Sequence, residues 1–275
     1  DSINKILLKN KINVPKLVSE NFDKNYMVIQ DLGNKTVFDI FKKKKLNKVR
    51  IYKKILNILI KIQDIKLRKI KNFKNNTYKI PVYSKKKIFD EANLFLKWYA
   101  PQFIKKNKLL SLRRELKKNI IYLINKIKLS NNTFVHRDFH VSNLMIKKNK
   151  IFIIDSQDAV YGNIAYDLAS LIDDVRLKTS ENIKEKIYQI YCDLRLKSIN
   201  KENFKNDFEI LSILRNLKVI GVFTRLAIRD NKKKYLKLIP YAWKLIEYRM
   251  NNNKIFFNLK KILEKNFSKK VRLKK

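Results

Sequence analysis

The scarcity of glycine restricts this chain more than any other feature of its sequence. Its 275 residues include three glycines, Gly33, Gly162 and Gly221. Two common phosphate-binding loops, G-x-G-x-x-G and G-x-x-x-x-G-K-[ST], need glycines at short fixed spacings, because the backbone itself must approach the phosphate. The three glycines lie too far apart to build either loop. A Rossmann fingerprint and a P-loop are therefore both excluded.

Cysteine and histidine are equally scarce. A single cysteine, Cys192, excludes an intramolecular disulfide and any zinc site built from cysteines. Two histidines, His136 and His140, argue against a histidine-rich metal site. The lone cysteine and the lack of an export signal predict a reducing, cytoplasmic location. No run of 18 apolar residues occurs, so we expect no transmembrane helix and no membrane partner.

The charge of the chain is strongly positive. Lys and Arg number 65 against 24 Asp and Glu, which gives a formal net charge of +41. Such a balance first suggests a nucleic-acid-binding protein, and a noncatalytic protein of that kind is the alternative from a different functional class. The lysines, however, are spread along the chain and no arginine-rich stripe occurs. Abundant Lys, Asn and Ile together fit an AT-rich coding sequence. We therefore predict solvated lysine surfaces and no specific nucleic-acid partner.

The hydrophobic pattern predicts an α+β chain in which helices predominate. Residues 3–10 have the pattern of the end of a helix. Further helices are predicted at 34–41, 48–66, 88–100 and 109–129, and from Ile164 onward with a break at Asp230-Asn231. Short strands are predicted at 16–18, 26–30 and 133–135, and residues 72–84 are predicted to be irregular. Residues 143–147 and 150–154 form a predicted hairpin with Lys148-Asn149 at its turn.

This hairpin carries the residues that point to chemistry. His136-Arg137-Asp138 is followed by Asn143 five residues after the aspartate, and Asp155 closes the second strand. This order and spacing are typical of phosphoryl transfer. A carboxylate at Asp138 can orient an acceptor hydroxyl and take its proton. Oxygen ligands from Asn143 and Asp155 suit Mg²⁺, and His136 is predicted to brace the loop by hydrogen bonding. A lone Asp at a strand end would more simply cap a turn.

These residues also carry a family resemblance. Val135–Met145 resembles the motif of the aminoglycoside phosphotransferase family, protein-kinase-like kinases of small molecules. Asp155–Gly162 and Tyr166–Leu171 are similar, more narrowly, to the anomeric N-acetylmuramate/N-acetylglucosamine kinases of cell-wall recycling. Ile29–Gly33 and Glu91–Tyr99 agree with that branch. The resemblance is diffuse beyond about residue 175.

The resemblance implies a protein-kinase-like, two-lobed fold with a mostly helical C-terminal lobe and a truncated N-terminal lobe. Residues 1–33 would be the remnant of the nucleotide-binding lobe and hinge, and residues 34–275 the helical catalytic and substrate lobe. The family's first strands, its phosphate-covering loop and its ATP-pairing lysine are expected upstream of residue 1. The chain by itself is therefore expected to fold, but to bind ATP weakly. A second departure is Ser156, where relatives often have a bulky aromatic residue.

The resemblance also implies roles for individual residues. Asp138 matches the catalytic base, Asn143 and Asp155 match the Mg²⁺ ligands, and the backbone of Gln30, Asp31 and Leu32 matches the hinge that receives adenine. Asp167 matches a family aspartate that ties the catalytic loop together or contacts substrate. Asp158 is expected to reach the sugar or brace the loop. Glu91, Trp98 and Tyr99 are candidate substrate contacts on one helix, although such aromatic residues are more often core.

The resulting hypothesis is an ATP- and Mg²⁺-dependent sugar kinase. Its expected reaction is phosphorylation of the anomeric hydroxyl of an N-acetylated amino sugar, a small-molecule partner, and a monomer is favoured. Alternatives within the class are kinases for choline, homoserine or an aminoglycoside. A net charge of +41 disfavours cationic acceptors and suits the carboxylate of N-acetylmuramate. A pseudokinase-like remnant is a further alternative, against which the intact Asp138, Asn143 and Asp155 argue.

Overall fold

The computed structural model describes residues 2–21, 23–42, 47–72, 74–251 and 253–273. Its helices are α1 (Ser2–Lys9), α2 (Val37–Phe41), α3 (Lys48–Gln63), α4 (Lys85–Ala92), α5 (Lys106–Asn125), α6 (Tyr166–Ile172), α7 (Glu181–Arg195), α8 (Lys201–Ile228), α9 (Ile239–Met250), α10 (Phe257–Asn266) and α11 (Lys269–Arg272). Its strands are β1 (Leu17–Asn21), β2 (Tyr26–Ile29), β3 (Lys69–Lys71), β4 (Thr77–Lys79), β5 (Thr133–Val135), β6 (Leu144–Lys147), β7 (Lys150–Ile153) and β8 (Val160–Gly162). Helices predominate, as the hydrophobic pattern predicts. Among the described residues, no helix is both long and apolar enough to cross a bilayer.

The chain divides into two compact units. The first contains Asp1–Tyr83 and Ser130–Asn200, and the second contains Ser84–Leu129 and Lys201–Lys275. This division differs from the predicted one into 1–33 and 34–275, which stays a prediction about lobes. Strands β1 to β8 all lie in the first unit, which therefore holds the hairpin singled out in the sequence.

Two-stranded antiparallel ladders form the β-structure of the first unit. β1 pairs with β2, β3 with β4, β5 with β8 and β6 with β7. In the β6–β7 hairpin, Lys148 and Asn149 have φ values of 47° and 59°. Two successive positive φ angles are those of a type I′ turn, whose twist matches a two-residue hairpin. The predicted turn is therefore confirmed, while Asn143 lies in a 3₁₀ turn just before β6.

Three local predictions differ from the structure. The helix predicted from residue 34 begins at Val37, because Thr36 caps it: the Asp39 amide donates to Thr36 Oγ1, and the Thr36 amide donates back to Asp39. The region predicted to be irregular contains β4, which gains its strand character by pairing with β3. The single helix predicted at 88–100 is wrong in its second half, since α4 ends at Ala92 and a π-helix occupies Phe95–Tyr99.

The π-helix of the second unit packs against α8, a helix of 28 residues. A Cβ atom placed on Gly221 of α8 would lie 2.3 Å from the carbonyl carbon of Leu94 and 2.6 Å from the amide nitrogen of Phe95. These are backbone atoms, which cannot move aside like the end of a side chain. The absence of a side chain at Gly221 is thus what allows α8 to contact the backbone of this segment.

We expect Gly221→Ala to destabilise the protein by roughly 2 kcal/mol. Alanine favours a helix by about 1 kcal/mol over glycine, but overpacking against the backbone costs about 1–3 kcal/mol or more and outweighs that gain. Urea unfolding measures the difference. Lys205→Ala, at an exposed position of the same helix, is the control and should change stability by less than about 0.5 kcal/mol. A more stable Gly221→Ala protein would contradict the close approach of the two segments.

Candidate active site

The loop between β5 and β6 is held by hydrogen bonds within itself. The His140 amide donates to the carbonyl of Asp138 at 3.0 Å, and the Asn143 amide donates to the carbonyl of His140 at 2.9 Å. The Asn143 side chain reaches back, and its Nδ2 donates to the same Asp138 carbonyl at 3.0 Å. The backbone of Asp138 is therefore fixed by the residue five positions later, while its side chain is half-buried.

Asp167 ties this loop to α6. Its two carboxylate oxygens accept hydrogen bonds from the backbone amides of His136 at 2.7 Å and Arg137 at 3.0 Å. Asp167 is fully buried, and Arg137 has a φ of 74°, a left-handed conformation that non-glycine residues seldom adopt. Two charge-assisted hydrogen bonds to consecutive amides can hold such a backbone. This is the geometry of the bracing role considered for Asp167 from the sequence.

His136 is buried behind the loop. Burial lowers the pKa of its imidazole to about 4, although the charges of Asp138, Asp155 and Asp158 oppose the shift. The ring is therefore neutral near pH 7. A neutral, fully buried ring 6.1 Å from Phe139, centroid to centroid, suits a residue that supports the loop by packing. Support of the loop by hydrogen bonding from His136 stays a prediction.

We expect His136 to make the protein less stable in acid. The pKa of His136 falls from 6.5 in the unfolded chain to about 4 in the folded protein, so between these values the unfolded chain binds a proton that the folded protein does not. The stability present above pH 6.5 is lost as the pH falls toward 4, by up to about 1.4 kcal/mol per pH unit. Urea unfolding gives the free energy of unfolding at each pH from about 7.5 to about 4.5. As the pH decreases, this free energy should fall less steeply in His136→Gln than in wild type. Equal slopes would contradict a neutral buried ring.

Asp155 lies shortly after β7 and next to Asn143. The Ile154 amide donates to the backbone carbonyl of Asn143 at 3.1 Å. Asp155 Oδ2 is 3.5 Å from Asn143 Nδ2, and Asp155 Oδ1 accepts a hydrogen bond from Gln157 Nε2 at 2.7 Å. Asp155 has a φ of 64°, and strained positions of this kind cluster at functional sites. The structure thus brings Asn143, Asp155 and the backbone of Asp138 together.

Asp158 lies on the other side of this loop. Its carbonyl accepts a hydrogen bond from Arg137 Nη1 at 3.2 Å, and its carboxylate is 3.8 Å from the same nitrogen. Asp158 is exposed, whereas the Arg137 side chain is largely buried. Asp158 therefore braces Arg137 through its backbone and still presents a carboxylate to solvent.

The three predicted hinge residues follow β2. The Gln30 amide donates to the Lys16 carbonyl at 2.8 Å, and the Gly33 amide donates to Asp31 Oδ1 at 2.7 Å. Lys147 Nζ of β6 donates to the Asp31 carbonyl at 2.5 Å, so this segment is joined to the β6–β7 hairpin. Leu32 is buried.

A recess of about 770 Å³ opens beside α1, β1 and β2 in the first unit. Apolar side chains of β1 and β2, among them Leu17, Met27 and Ile29, line it together with Asp155 and Gln157. The recess thus combines an apolar wall with the carboxylate that follows β7. Such a combination suits a ligand with an apolar ring at one end and anionic groups near a cation at the other.

Glu91, Trp98 and Tyr99 belong to the second unit. The Glu91 carboxylate is buried and lies 2.9 Å from Lys218 Nζ. Tyr99 is also buried, and its hydroxyl accepts a hydrogen bond from Trp243 Nε1 at 3.0 Å. Burial raises the pKa of Tyr99 to about 12. Trp98 is half-buried. Glu91 and Tyr99 are therefore part of the packing of this unit. For Tyr99, this agrees with the expectation that aromatic residues on such a helix more often belong to the core.

Sequence reasoning missed several contacts around this site. Gln157 contacts Asp155, Lys147 contacts Asp31, and Ser156 donates to Asn4 of α1 at 2.7 Å. The family resemblance draws attention to Ser156, but nothing in the sequence pairs it with a residue 152 positions earlier. Gln157 carries a weak signal, since it lies two residues from a candidate metal ligand.

Comparison with known proteins places the chain in a family. The family model described as the phosphotransferase enzyme family matches residues 5–199. An N-acetylmuramate/N-acetylglucosamine kinase of Neisseria meningitidis serogroup B is 27% identical over 236 residues, which are 83% of this chain and 68% of that protein. A protein of the same name from Pseudomonas aeruginosa is 24% identical over 241 residues, covering 86% of this chain and 68% of that protein.

Solved structures show the fold. An ethanolamine kinase of Plasmodium vivax aligns with a TM-score of 0.58 at 16% identity, covering 90% of this chain and 70% of the other. An ADP-bound aminoglycoside phosphotransferase aligns with a TM-score of 0.57 at 15% identity, covering 89% of this chain and 78% of the other. The fold is that of the kinase-like enzymes, as the sequence resemblance implies. The chain belongs to the phosphotransferase enzyme family, and it is a kinase whose acceptor is a hydroxyl group of a sugar or another alcohol.

Proposed function

We propose that this protein is an ATP- and Mg²⁺-dependent kinase that phosphorylates the anomeric hydroxyl of N-acetylmuramate or N-acetylglucosamine. The observation that carries the proposal is the grouping of Asp138, Asn143 and Asp155 around one loop and one hairpin. Curated relatives bearing the name of that activity support the choice of acceptor. A role in recycling of cell-wall sugars follows from the same acceptor.

The donor set beside Asp155 fits Mg²⁺. Among the described residues, no cluster of three or more His, Cys, Asp and Glu side chains is arranged to hold a metal ion. Mg²⁺ in kinases needs fewer protein ligands, because it keeps several waters and takes further oxygens from the nucleotide. Asn143 Nδ2 is engaged by the Asp138 carbonyl, which leaves Oδ1 for a cation beside the Asp155 carboxylate. When bound, the ion would neutralise charge on the transferred phosphoryl group.

The remaining chemistry is assigned to side chains of this chain. Asp138 orients the acceptor hydroxyl and takes its proton as the new phosphorus–oxygen bond forms and the bond from the γ-phosphorus to the departing ADP breaks. The backbone at Gln30, Asp31 and Leu32 receives adenine, and the recess beside it accommodates the nucleotide. Asp158, with its exposed carboxylate, is a candidate hydrogen-bond acceptor for sugar hydroxyls. Of the candidates in the second unit, half-buried Trp98 stays a prediction as a sugar contact, whereas Glu91 and Tyr99 are buried in the packing of that unit.

A panel of acceptors tests the proposal. The full-length protein is incubated with ATP and Mg²⁺ and with N-acetylmuramate, N-acetylglucosamine, choline, ethanolamine, homoserine or an aminoglycoside. Phosphorus NMR identifies the product, and we expect the signal of an anomeric sugar phosphate. Asp138→Asn is the matched negative control for a contaminating kinase. Phosphorylation of choline, ethanolamine, homoserine or an aminoglycoside in preference to both sugars would overturn the proposed acceptor. No product with any acceptor would overturn the proposed activity.

A further inference from the structure

The segment that follows Asp155 is attached to helix α1. Ser156 Oγ donates a hydrogen bond of 2.7 Å to Asn4 Oδ1, and Ser156 is 6% exposed. α1 is itself firmly held, because Ile3, Ile6 and Leu7 are buried. Ser156 thus connects Asp155 to helix α1, which is anchored in the core of the first unit.

Two further hydrogen bonds join β7 to the segment that follows α1. The Ile153 amide of β7 donates to the Asn13 carbonyl at 2.9 Å, and Asn13 Nδ2 donates to the Ile151 carbonyl at 3.2 Å. Asn13 belongs to the segment just after α1. The strand that leads to Asp155 and the turn that follows it are therefore both tied to α1 and its continuation.

The exposed Asp155 carboxylate has a polar neighbour at each of its oxygens. Gln157 Nε2 donates to Oδ1 at 2.7 Å, while Asn143 Nδ2 lies 3.5 Å from Oδ2. The short bond to Gln157 restricts rotation of the carboxylate, and so turns Oδ2 toward Asn143. Carboxylates that bind metals commonly depend on such outer hydrogen bonds, whose loss costs about 10–100-fold in metal affinity.

We infer that Asn4, Ser156 and Gln157 are positioning residues for Asp155, so that helix α1 sets the affinity of the site for a divalent cation. This inference rests on the proposed function, in which Asp155 is a metal ligand. Asp155 has a strained, left-handed φ of 64°. Such a backbone conformation persists only where the surrounding residues hold it, so fixing Ser156 helps to keep Asp155 in this conformation.

The test measures cation binding directly. Mn²⁺, a paramagnetic substitute for Mg²⁺, is titrated by electron paramagnetic resonance into the full-length protein with ADP present. ADP binding without the cation is measured as well, since Gln157 also lines the recess proposed for the nucleotide, and it should match wild type if the variants act through Asp155. We expect Ser156→Ala, Asn4→Ala and Gln157→Met each to weaken Mn²⁺ binding by about 10–100-fold. The double variant Asn4→Ala/Ser156→Ala should lose no more Mn²⁺ affinity than the more affected of the two single variants, because both substitutions remove the same hydrogen bond. Asn4→Asp keeps the acceptor oxygen and should bind Mn²⁺ at least as well as wild type.

Two controls separate the possible results. Asn10→Ala removes an amide that bonds within the helical turn, to the Ile6 carbonyl, and should leave Mn²⁺ binding unchanged. Asp155→Ala should abolish the binding. If Asp155→Ala abolishes it while Ser156→Ala and Asn4→Ala stay within about twofold of wild type, well below the expected loss, the positioning role is wrong and the proposed function stands. If Asp155→Ala has no effect, the proposed metal ligand and this inference both fail.

Discussion

Asp138→Asn is expected to lower the turnover of sugar phosphorylation by about 10²–10⁴-fold while leaving the affinity for ATP close to that of wild type. Asparagine keeps the size of the side chain and cannot accept the proton of the acceptor hydroxyl. The backbone of this residue should not move, because its carbonyl is still bound by Asn143 Nδ2 and by the His140 amide. Steady-state kinetics with saturating sugar, together with isothermal titration of nucleotide, measure the two quantities separately.

The control for this experiment is Asp193→Asn. Asp193 is an exposed aspartate on α7 of the same unit, bonded to Gln189, and its substitution should leave turnover unchanged. Turnover within a fewfold of wild type in Asp138→Asn would show that the acceptor proton leaves by another route. A large loss of nucleotide affinity instead would place Asp138 at the donor rather than at the acceptor.

Asp155→Ala is expected to abolish both turnover and Mg²⁺-dependent ATP binding. Removing an anionic ligand leaves the charge of the phosphates uncompensated, so the loss should exceed the roughly 10–100-fold typical of residues that only support a ligand. Titration of ATP with and without Mg²⁺ measures the effect. The variant should bind ATP equally with and without the cation, whereas wild type should bind it more tightly with the cation. A response to Mg²⁺ in the variant as large as that of wild type would remove Asp155 from the metal site.

Asn143→Ala provides a graded comparison. A neutral amide contributes less to a cation than a carboxylate does, so the loss of Mg²⁺ affinity should be smaller than in Asp155→Ala. The structure adds a second effect, since Asn143 Nδ2 also holds the Asp138 carbonyl at 3.0 Å. Turnover at saturating Mg²⁺ and ATP should therefore fall too, because the loop that presents Asp138 loses a support. Full recovery of turnover at high Mg²⁺ would show that the hydrogen bond to the Asp138 carbonyl is dispensable.

The order of the chemical groups could be predicted from the sequence because it is a local property. Asp138, Asn143 and Asp155 lie close together along the chain, on a hairpin whose turn, Lys148-Asn149, adopts positive φ angles that asparagine tolerates. Apolar periodicity likewise located α3 and α5 to within a few residues, since a helix repeats its pattern over several turns. Family membership followed from the same short motifs and agrees with the match over residues 5–199.

Tertiary structure alone decided the features that join distant parts of the chain. Asp167 accepts hydrogen bonds from two amides 30 and 31 residues earlier, and Ser156 meets Asn4 across 152 residues. The π-helix at Phe95–Tyr99 adjoins the close backbone approach at Gly221, a position far along the chain. Such pairings leave no periodic trace, because each depends on which surfaces pack together after the local elements have formed. The sequence by itself therefore determined the kind of chemistry and the elements that carry it, while long-range packing determined which side chains hold the reactive groups in place.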